Sequence, residues 1–397
     1  MFIETTVDIK EYTPNATEFL YNDQLLVDNQ AVELITLVKD AIFLYPERDN
    51  DGIKEILPLG IDDEGNVVGI EGFYLDDDEL VFTNEKPYVI YGYAGIPPEK
   101  TAVFEAGARI HFHDNSGLIA AQSSSVHVLG NPSVDEEQLE GEVIFAGDRL
   151  EPFFEDIPGQ WGTIWLTAGS TNHIFRHATI KNASVGILMD YNDETENPTL
   201  LLMQTQIHNS STVGLWAKTA HVKAVNSIFG NAGNASFYGN IGGSYEFTHC
   251  TFSNYWNRSF RSTPAVILND YVPISQTEDF IVHLEKAVFA NCIIDGNQSV
   301  EFGVEQKGEQ ELSFTLDHTA LRFDPSDDSI FENPYYDFNA LEYYPKLIVN
   351  KNASFHNPTQ NDFRITQESE FLGLGNKDYA ADIPCLLYTS DAADEVL

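Results

Sequence analysis

Ala178-Thr179-Ile180 leading to Asn182, Thr205-Gln206-Ile207 to Asn209, Asn226-Ser227-Ile228 to Asn231, Cys250-Thr251-Phe252 to Asn254 and Cys292-Ile293-Ile294 to Asn297 are five versions of one block. Each reads small residue, any residue, aliphatic or aromatic residue, then asparagine two or three positions on. Thr319-Ala320-Leu321 continues the first columns and loses the asparagine. The apolar column recurs at intervals of 27, 21, 24, 42 and 27 residues, and the long interval holds an insertion over residues 258–283. A variable period in the twenties, carried by short period-2 runs with Gly and Asn between them, predicts a solenoid of strands. Leucine spacing excludes leucine-rich repeats, and the abundance of Thr, Val, Ile, Asn and Gly without helical periodicity excludes helical repeats. A parallel β-helix remains, with equivalent columns stacked about 4.8 Å apart. Asn182, Asn209, Asn231, Asn254 and Asn297 are the expected corner ladder, because asparagine tolerates the left-handed conformation and its amide can bond the next coil. Gly186 and Gly214 follow the block and are expected at a second corner with positive φ.

Outward from the repeat, Thr101-Ala-Val-Phe-Glu-Ala-Gly107-Ala-Arg-Ile110-His-Phe112, Gly117-Leu-Ile-Ala and Pro158-Gly159-Gln-Trp161-Gly162-Thr-Ile164 form the entry. They resemble the opening coils of right-handed parallel β-helix proteins of the pectate-lyase-like superfold. Gly242-Gly243-Ser-Tyr245-Glu-Phe247-Thr-His249-Cys250-Thr251 and Asn254-Tyr255-Trp256 are similar to segments of uncharacterised bacterial envelope β-helix lipoproteins. Asn357-Pro358 through Asp362-Phe363-Arg364-Ile365 resembles the terminal segment that covers the open end of many β-helices. These resemblances imply an all-β, right-handed parallel β-helix over residues 87–376 and a cell-surface, outer-membrane or extracellular location. They imply little about activity, because one superfold hosts many chemistries.

The flanks read differently. Residues 1–42 hold three β-rich runs resembling the last strands of an immunoglobulin-like sandwich, so a truncated sheet of that kind is expected there. A secretion signal would then precede it. Residues 43–86 read as an acidic, turn-rich lead-in. Within it, Glu47-x-Asp49-x-Asp51-Gly52 resembles the start of an EF-hand loop, but Pro58 stands where the closing glutamate is needed. Calcium is therefore the one cofactor weighed, at Asp49 and Asp51, against a simple solvated turn. Residues 377–397 are a tail, and Cys385-Leu-Leu-Tyr-Thr-Ser-Asp-Ala-Ala-Asp-Glu395 resembles a translated library adaptor. That match implies a gene fragment.

Composition narrows the function. The 397 residues carry 62 Asp and Glu against 21 Lys and Arg, a formal charge of −41. So acidic a surface repels phosphate, which excludes generic nucleic-acid binding and disfavours anionic membranes. No apolar run approaches a membrane span of about 20 residues. Three cysteines cannot build a disulfide framework, and Cys250 and Cys292, in one inward column, are expected as buried thiols. His111 and His113 alternate on one strand without a third metal ligand at fixed spacing.

Two neighbourhoods hold candidate chemistry. Tyr255, Trp256, Arg258 and Arg261, with Lys218 and His221 two coils earlier, concentrate aromatic and basic side chains in a cation-poor chain and are candidates for binding a glycan or an envelope protein. Asp190 and Asp193 fall in a rim loop and are the alternative catalytic carboxylates. The leading expectation is a non-enzymatic module that binds glycan or protein. The alternative is a polysaccharide lyase or glycoside hydrolase, and a plain spacer is the third reading. The outward face decides among them: an enzyme needs a convergent acid/base set, a binder needs a row of aromatics, a spacer needs neither.

Overall fold

The computed structural model describes residues 18–27, 30–62, 64–135 and 138–380, and the adaptor-like segment and residues 1–17 lie outside these. Among the described residues the chain is all-β, with only short 3-10 turns of three to five residues. It winds as a parallel β-helix whose every full coil gives one strand to each of three sheets, here A, B and C. Sheet A contains Val81–Phe82, Thr101–Glu105, Ser125–Leu129, His221–Val225, Gly243–Thr248 and Leu284–Ala290. Sheet B contains Ile42–Leu44, Tyr88–Ile90, Arg109–Phe112, Val143–Gly147, Ile228–Ala232, Thr251–Asn254, Ile293–Gly296 and Lys346–Val349. Strands His173–Lys181, Leu200–Ser210 and Phe314–Leu321 run from A into B without a break. Sheet C runs from Val67–Tyr74 through Tyr93–Ile96, Gly117–Ala120, Ile164–Leu166, Val185–Asp190, Val213–Lys218, Ala235–Asn240 and Val266–Asn269 to Phe302–Glu305.

Alternation along each strand sends one set of side chains inward. Three inner columns fill the solenoid. One is Phe104, Val128, Phe175, Leu202, Ala224, Phe247 and Phe289. The second is Ile180, Ile207, Phe229, Phe252, Ile294 and Leu321, and the third is Ile164, Ile187, Leu215, Phe237, Val266 and Phe302. Nearly all are fully buried. The third block sits one residue away from its sequence reading: Ser227 and Phe229, not Asn226 and Ile228, occupy the inward positions. A one-residue slip exchanges faces, and the core accepts the phenylalanine.

A single left-handed residue makes the A-to-B corner on six coils: His177, Gln204, Asn226, His249, Asn291 and His318, with φ between 46° and 53°. The small residue that follows each one (Ala178, Thr205, Ser227, Cys250, Cys292, Thr319) fits under that bend. Cys250 and Cys292 are buried free thiols in this stack.

The B-to-C corner holds the asparagines. Asn182, Asn209 and Asn231 have φ of 65°, 58° and 36°. Asn209 Nδ2 donates to Asn182 Oδ1 at 2.6 Å, so a ladder rung exists there. Asn231 instead donates to Pro358 O and Asn361 Oδ1, at 2.7 and 2.9 Å. Asn254 and Asn297 are not left-handed; Asn297 lies one residue beyond the column and donates to Trp256 O at 2.7 Å. Gly186 and Gly214 lack positive φ. A Cβ on either would fall 2.5 Å from a carbonyl of the next coil, so close coil stacking is what requires glycine there.

Three segments depart from expectation. Residues 43–86 supply the first coil, since Ile42–Leu44, Val67–Tyr74 and Val81–Phe82 pair in parallel with the next coil. Their acidic turns masked the short apolar alternation. The insertion at 258–283 contains a strand of sheet C, Val266–Asn269, followed by the hairpin Tyr271–Pro273 and Asp279–Ile281. The hairpin Phe355–Asn357 and Asp362–Ile365 does not close the open end. It folds back over sheet B, where Phe363 lies against Gly230. The end is closed by residues 328–344 instead. Tyr335 and Tyr336 hydroxyls accept the amides of Leu312 and Val304 at 2.9 and 3.0 Å, which satisfies an exposed sheet edge. Glu18–Val27 and Gln30–Lys39 form a separate antiparallel pair. No helix among the described residues is long and apolar enough to cross a membrane.

Candidate functional site

Sheet C faces outward with an apolar row. Ile164 and Leu166, Leu215 and Ala217, and Phe237 and Gly239 flank the residues that must point away from the core. Those are Trp165, Leu188, Trp216, Tyr238 and Ile267, in strict register on five successive coils. All five are half-buried. At about 4.8 Å per coil the row is about 19 Å long. Trp216 and Tyr238 stack with ring centroids 5.9 Å apart and an interplanar angle of 16°.

A polar row runs beside it: Asp190, Lys218, Asn240, Asn269 and Glu305 are also in register. These side chains hold the rings. Trp165 Nε1 donates to Asp190 Oδ2 at 2.6 Å, and Lys218 Nζ pairs with Asp190 Oδ1 at 3.0 Å. Lys218 also lies 4.9 Å from the Trp216 ring centroid. Trp216 Nε1 donates to Asn240 Oδ1 at 3.3 Å. The Tyr238 hydroxyl accepts from Asn240 and Asn269 at 3.2 and 3.0 Å, and burial raises its pKa. Tyr271 donates to Glu305 at 2.8 Å, a bond that, with burial, pushes its pKa up to about 12. The aromatic rings are thus held in place by side chains of the same sheet. The row has two walls. The hairpin Ile56–Ile61 and Val67–Tyr74 covers its start, with Leu57 packed on Tyr93 and Ile119. The hairpin Tyr271–Pro273 and Asp279–Ile281 follows its far end.

The sequence-derived candidates are dispersed. Lys218 and Asp190 belong to the polar row. His221 begins a strand of sheet A, opposite Ser244, across the C-to-A corner. Tyr255, Trp256, Arg258 and Arg261 lie past the B-to-C corner, and Trp256 and Arg261 are buried there. Arg261 is 3% exposed, and its guanidinium grips Glu301 with bonds of 2.7 and 2.9 Å. It also donates to Asn254 O, Thr263 O and Asn297 Oδ1 at 2.6, 2.6 and 2.7 Å. Such a residue cannot greet a ligand, which corrects its reading as a binding group. Trp256 is 6% exposed and donates to Ser259, so it is corrected likewise. The Tyr255 hydroxyl donates to Asp295 at 2.9 Å, and the exposed Arg258 reaches Asp156 O at 3.1 Å.

Asp190 and Asp193 are held by separate sets of partners. Asp190 is engaged by Lys218 and Trp165 as above. Asp193 accepts from Thr171, Thr195 and Thr199. Burial opposes its ionised form, yet those hydrogen bonds hold its pKa below the usual carboxylate value. Its bonds to the three threonines pin the loop. Asp49 accepts from the amides of Asp51 and Ile53, both at 2.9 Å, which is a turn built on a side chain. His111 and His113 each hold a partner on the next coil, Gly147 O at 3.1 Å and Asp148 at 2.7 Å. Among the described residues no three His, Cys, Asp or Glu side chains converge as a metal site.

Trp165, Trp216 and Tyr238 escaped the sequence reading. Their signal is faint: each is one residue flanked by inward neighbours, and only Trp216 and Tyr238 follow a corner asparagine, each by seven positions. The chain matches no protein-family model, no curated protein and no solved structure.

Proposed function

We propose that the protein is a non-enzymatic, surface-displayed β-helix module that binds a neutral polysaccharide along the outer face of sheet C. The observation that carries this reading is the registered row Trp165, Leu188, Trp216, Tyr238 and Ile267. The stacked ring edges, with Leu188 and Ile267, form a half-buried apolar strip on which the C–H faces of sugars can pack, while Lys218, Asp190 and the exposed Glu305 beside it offer a donor and acceptors to hydroxyls. The formal charge of −41 opposes an acidic glycan, which favours a neutral one. Kinship with the pectate-lyase-like superfold and with envelope β-helix lipoproteins is part of the proposal. It rests on the opening-coil motifs and on residues 242–256, and it supports a cell-surface or extracellular setting. Cleavage of the glycan is the competing reading. It is disfavoured by the prior engagement of Asp190 and Asp193.

Affinity electrophoresis on neutral and acidic polysaccharides, with product analysis, tests the proposal. Retardation by a neutral polysaccharide without new chain ends is expected, and Trp216→Ala should weaken it about tenfold, the loss of about 1.4 kcal/mol for one central aromatic. New reducing or unsaturated ends would overturn the non-enzymatic reading. Equal retardation of wild type and variant would overturn the site.

A further inference from the structure

A second recess lies at the B-to-C corner of the early coils, apart from the aromatic row. Its volume is about 630 Å³, within the range that holds a small molecule. One wall is the first hairpin, where Lys54 and Glu71 form an ion pair. The opposite wall is the corner that carries His113, Asp114 and Asn115. The floor is backbone. A Cβ on Gly162 would lie 2.0 Å from the Tyr93 hydroxyl, and one on Gly92, whose φ is 69°, would lie 3.1 Å from Glu71 O. Glycine at both positions lets the backbone pack closely beneath the recess.

Its chemistry is directional. Tyr91 and His113 rings lie 4.5 Å apart, and Asp148 holds the His113 Nδ1 at 2.7 Å. Lys54 and His113 therefore already have acidic partners. The Asp114 carboxylate lines the recess and makes no side-chain hydrogen bond or ion pair with the described residues. The recess thus presents an aromatic edge, an exposed asparagine and one uncommitted carboxylate in a protein of strongly negative charge. An anion would be repelled, and a purely apolar guest would strand the polar rim. A ring with hydroxyls and a protonated amine meets every feature: cation to Asp114, hydroxyls to Asn115 and Glu71, and the ring against the edge of Tyr91, which lies between Phe43 and His113 with centroids 6.4 and 4.5 Å away.

We infer that this recess is a binding site for a hydroxylated ring bearing a protonated amine, the chemistry of a free amino sugar. The test is calorimetric titration of the full chain at low ionic strength with glucosamine, glucose and glucuronate as probes. Glucosamine is expected to saturate in the millimolar range and to bind at least fivefold more tightly than glucose, with glucuronate weakest. Asp114→Asn and Tyr91→Ala should each weaken glucosamine binding at least fivefold, and Trp216→Ala, on the other site, should leave it unchanged. Asp114 is a surface side chain without partners, so its variant should melt with the wild type. The inference is overturned by glucuronate binding as tightly as glucosamine, by glucosamine binding that Asp114→Asn leaves intact, or by no saturation up to about 10 mM.

Discussion

Replacing Arg261 with alanine should be among the most damaging single changes in the solenoid. The Arg261 and Glu301 side chains are 1% and 0% exposed. Truncation removes a two-bonded ion pair and strands three further acceptors, on Asn254, Thr263 and Asn297. Leaving one buried charge unpaired costs about 3–5 kcal/mol. At about 2 °C per kcal/mol for a large domain, Tm should fall by about 6–10 °C. The pH dependence identifies the cause. Burial pushes the Glu301 carboxyl up, against the pull of Arg261 and of the Gln298 and Ala265 amides. Without Arg261 the folded pKa stands well above the unfolded one. Such a group contributes stability below the unfolded pKa and loses it as pH rises through the folded pKa. The gap between wild type and variant should therefore be widest near pH 7 and narrow toward about pH 4.5. Scanning calorimetry across that range reads both effects. A Tm fall under about 2 °C, or a gap that widens on acidification, would refute the reasoning.

Three further outcomes follow from the corners and the core. Asn209→Ala should cost about 2–3 kcal/mol, from the lost bonds to Asn182 and Asp156 and from an alanine held at φ 58°, and Asn209→Gly should recover the backbone share in urea unfolding. Cys250 and Cys292 should resist a thiol reagent in the native protein and react on unfolding, because burial raises the Cys292 pKa and both are nearly inaccessible. His173 is fully buried, accepts the Val126 amide at 3.1 Å and is held neutral by burial with a pKa lowered to about 3. A depressed histidine contributes stability above the unfolded value, lost as pH falls below it, so wild type should lose about 1.4 kcal/mol per unit below about pH 6.5 that His173→Asn does not.

The solenoid was legible because its signal is repeated. Small residue, apolar residue and asparagine recur on coil after coil, and the inward columns at Ile180, Ile207, Phe252, Ile294 and Leu321 follow directly. The slip at Ser227 arose because Ile228 and Phe229 are both apolar, and only stacking against Ile207 separates them. The A-to-B corner was hidden by its variety: His, Gln and Asn all take the left-handed bend. The outward row was harder still. A half-buried Trp on a strand has the same composition as a core Trp such as Trp161, and only register tells them apart. Arg261 illustrates the converse. An arginine beside aromatics reads as a ligand-binding group until a carboxylate 40 residues later is found to meet it in the interior.

Glycan binding along sheet C is tested most directly by tryptophan fluorescence during titration with neutral polysaccharides. Of four tryptophans, Trp165 and Trp216 face outward in the row, while Trp161 and Trp256 are buried. The account predicts a saturable blue shift with at least one neutral polysaccharide, reduced in Trp165→Phe and abolished in Trp165→Ala/Trp216→Ala. A shift that persists unchanged in the double variant, or no saturable shift across the panel, would contradict it.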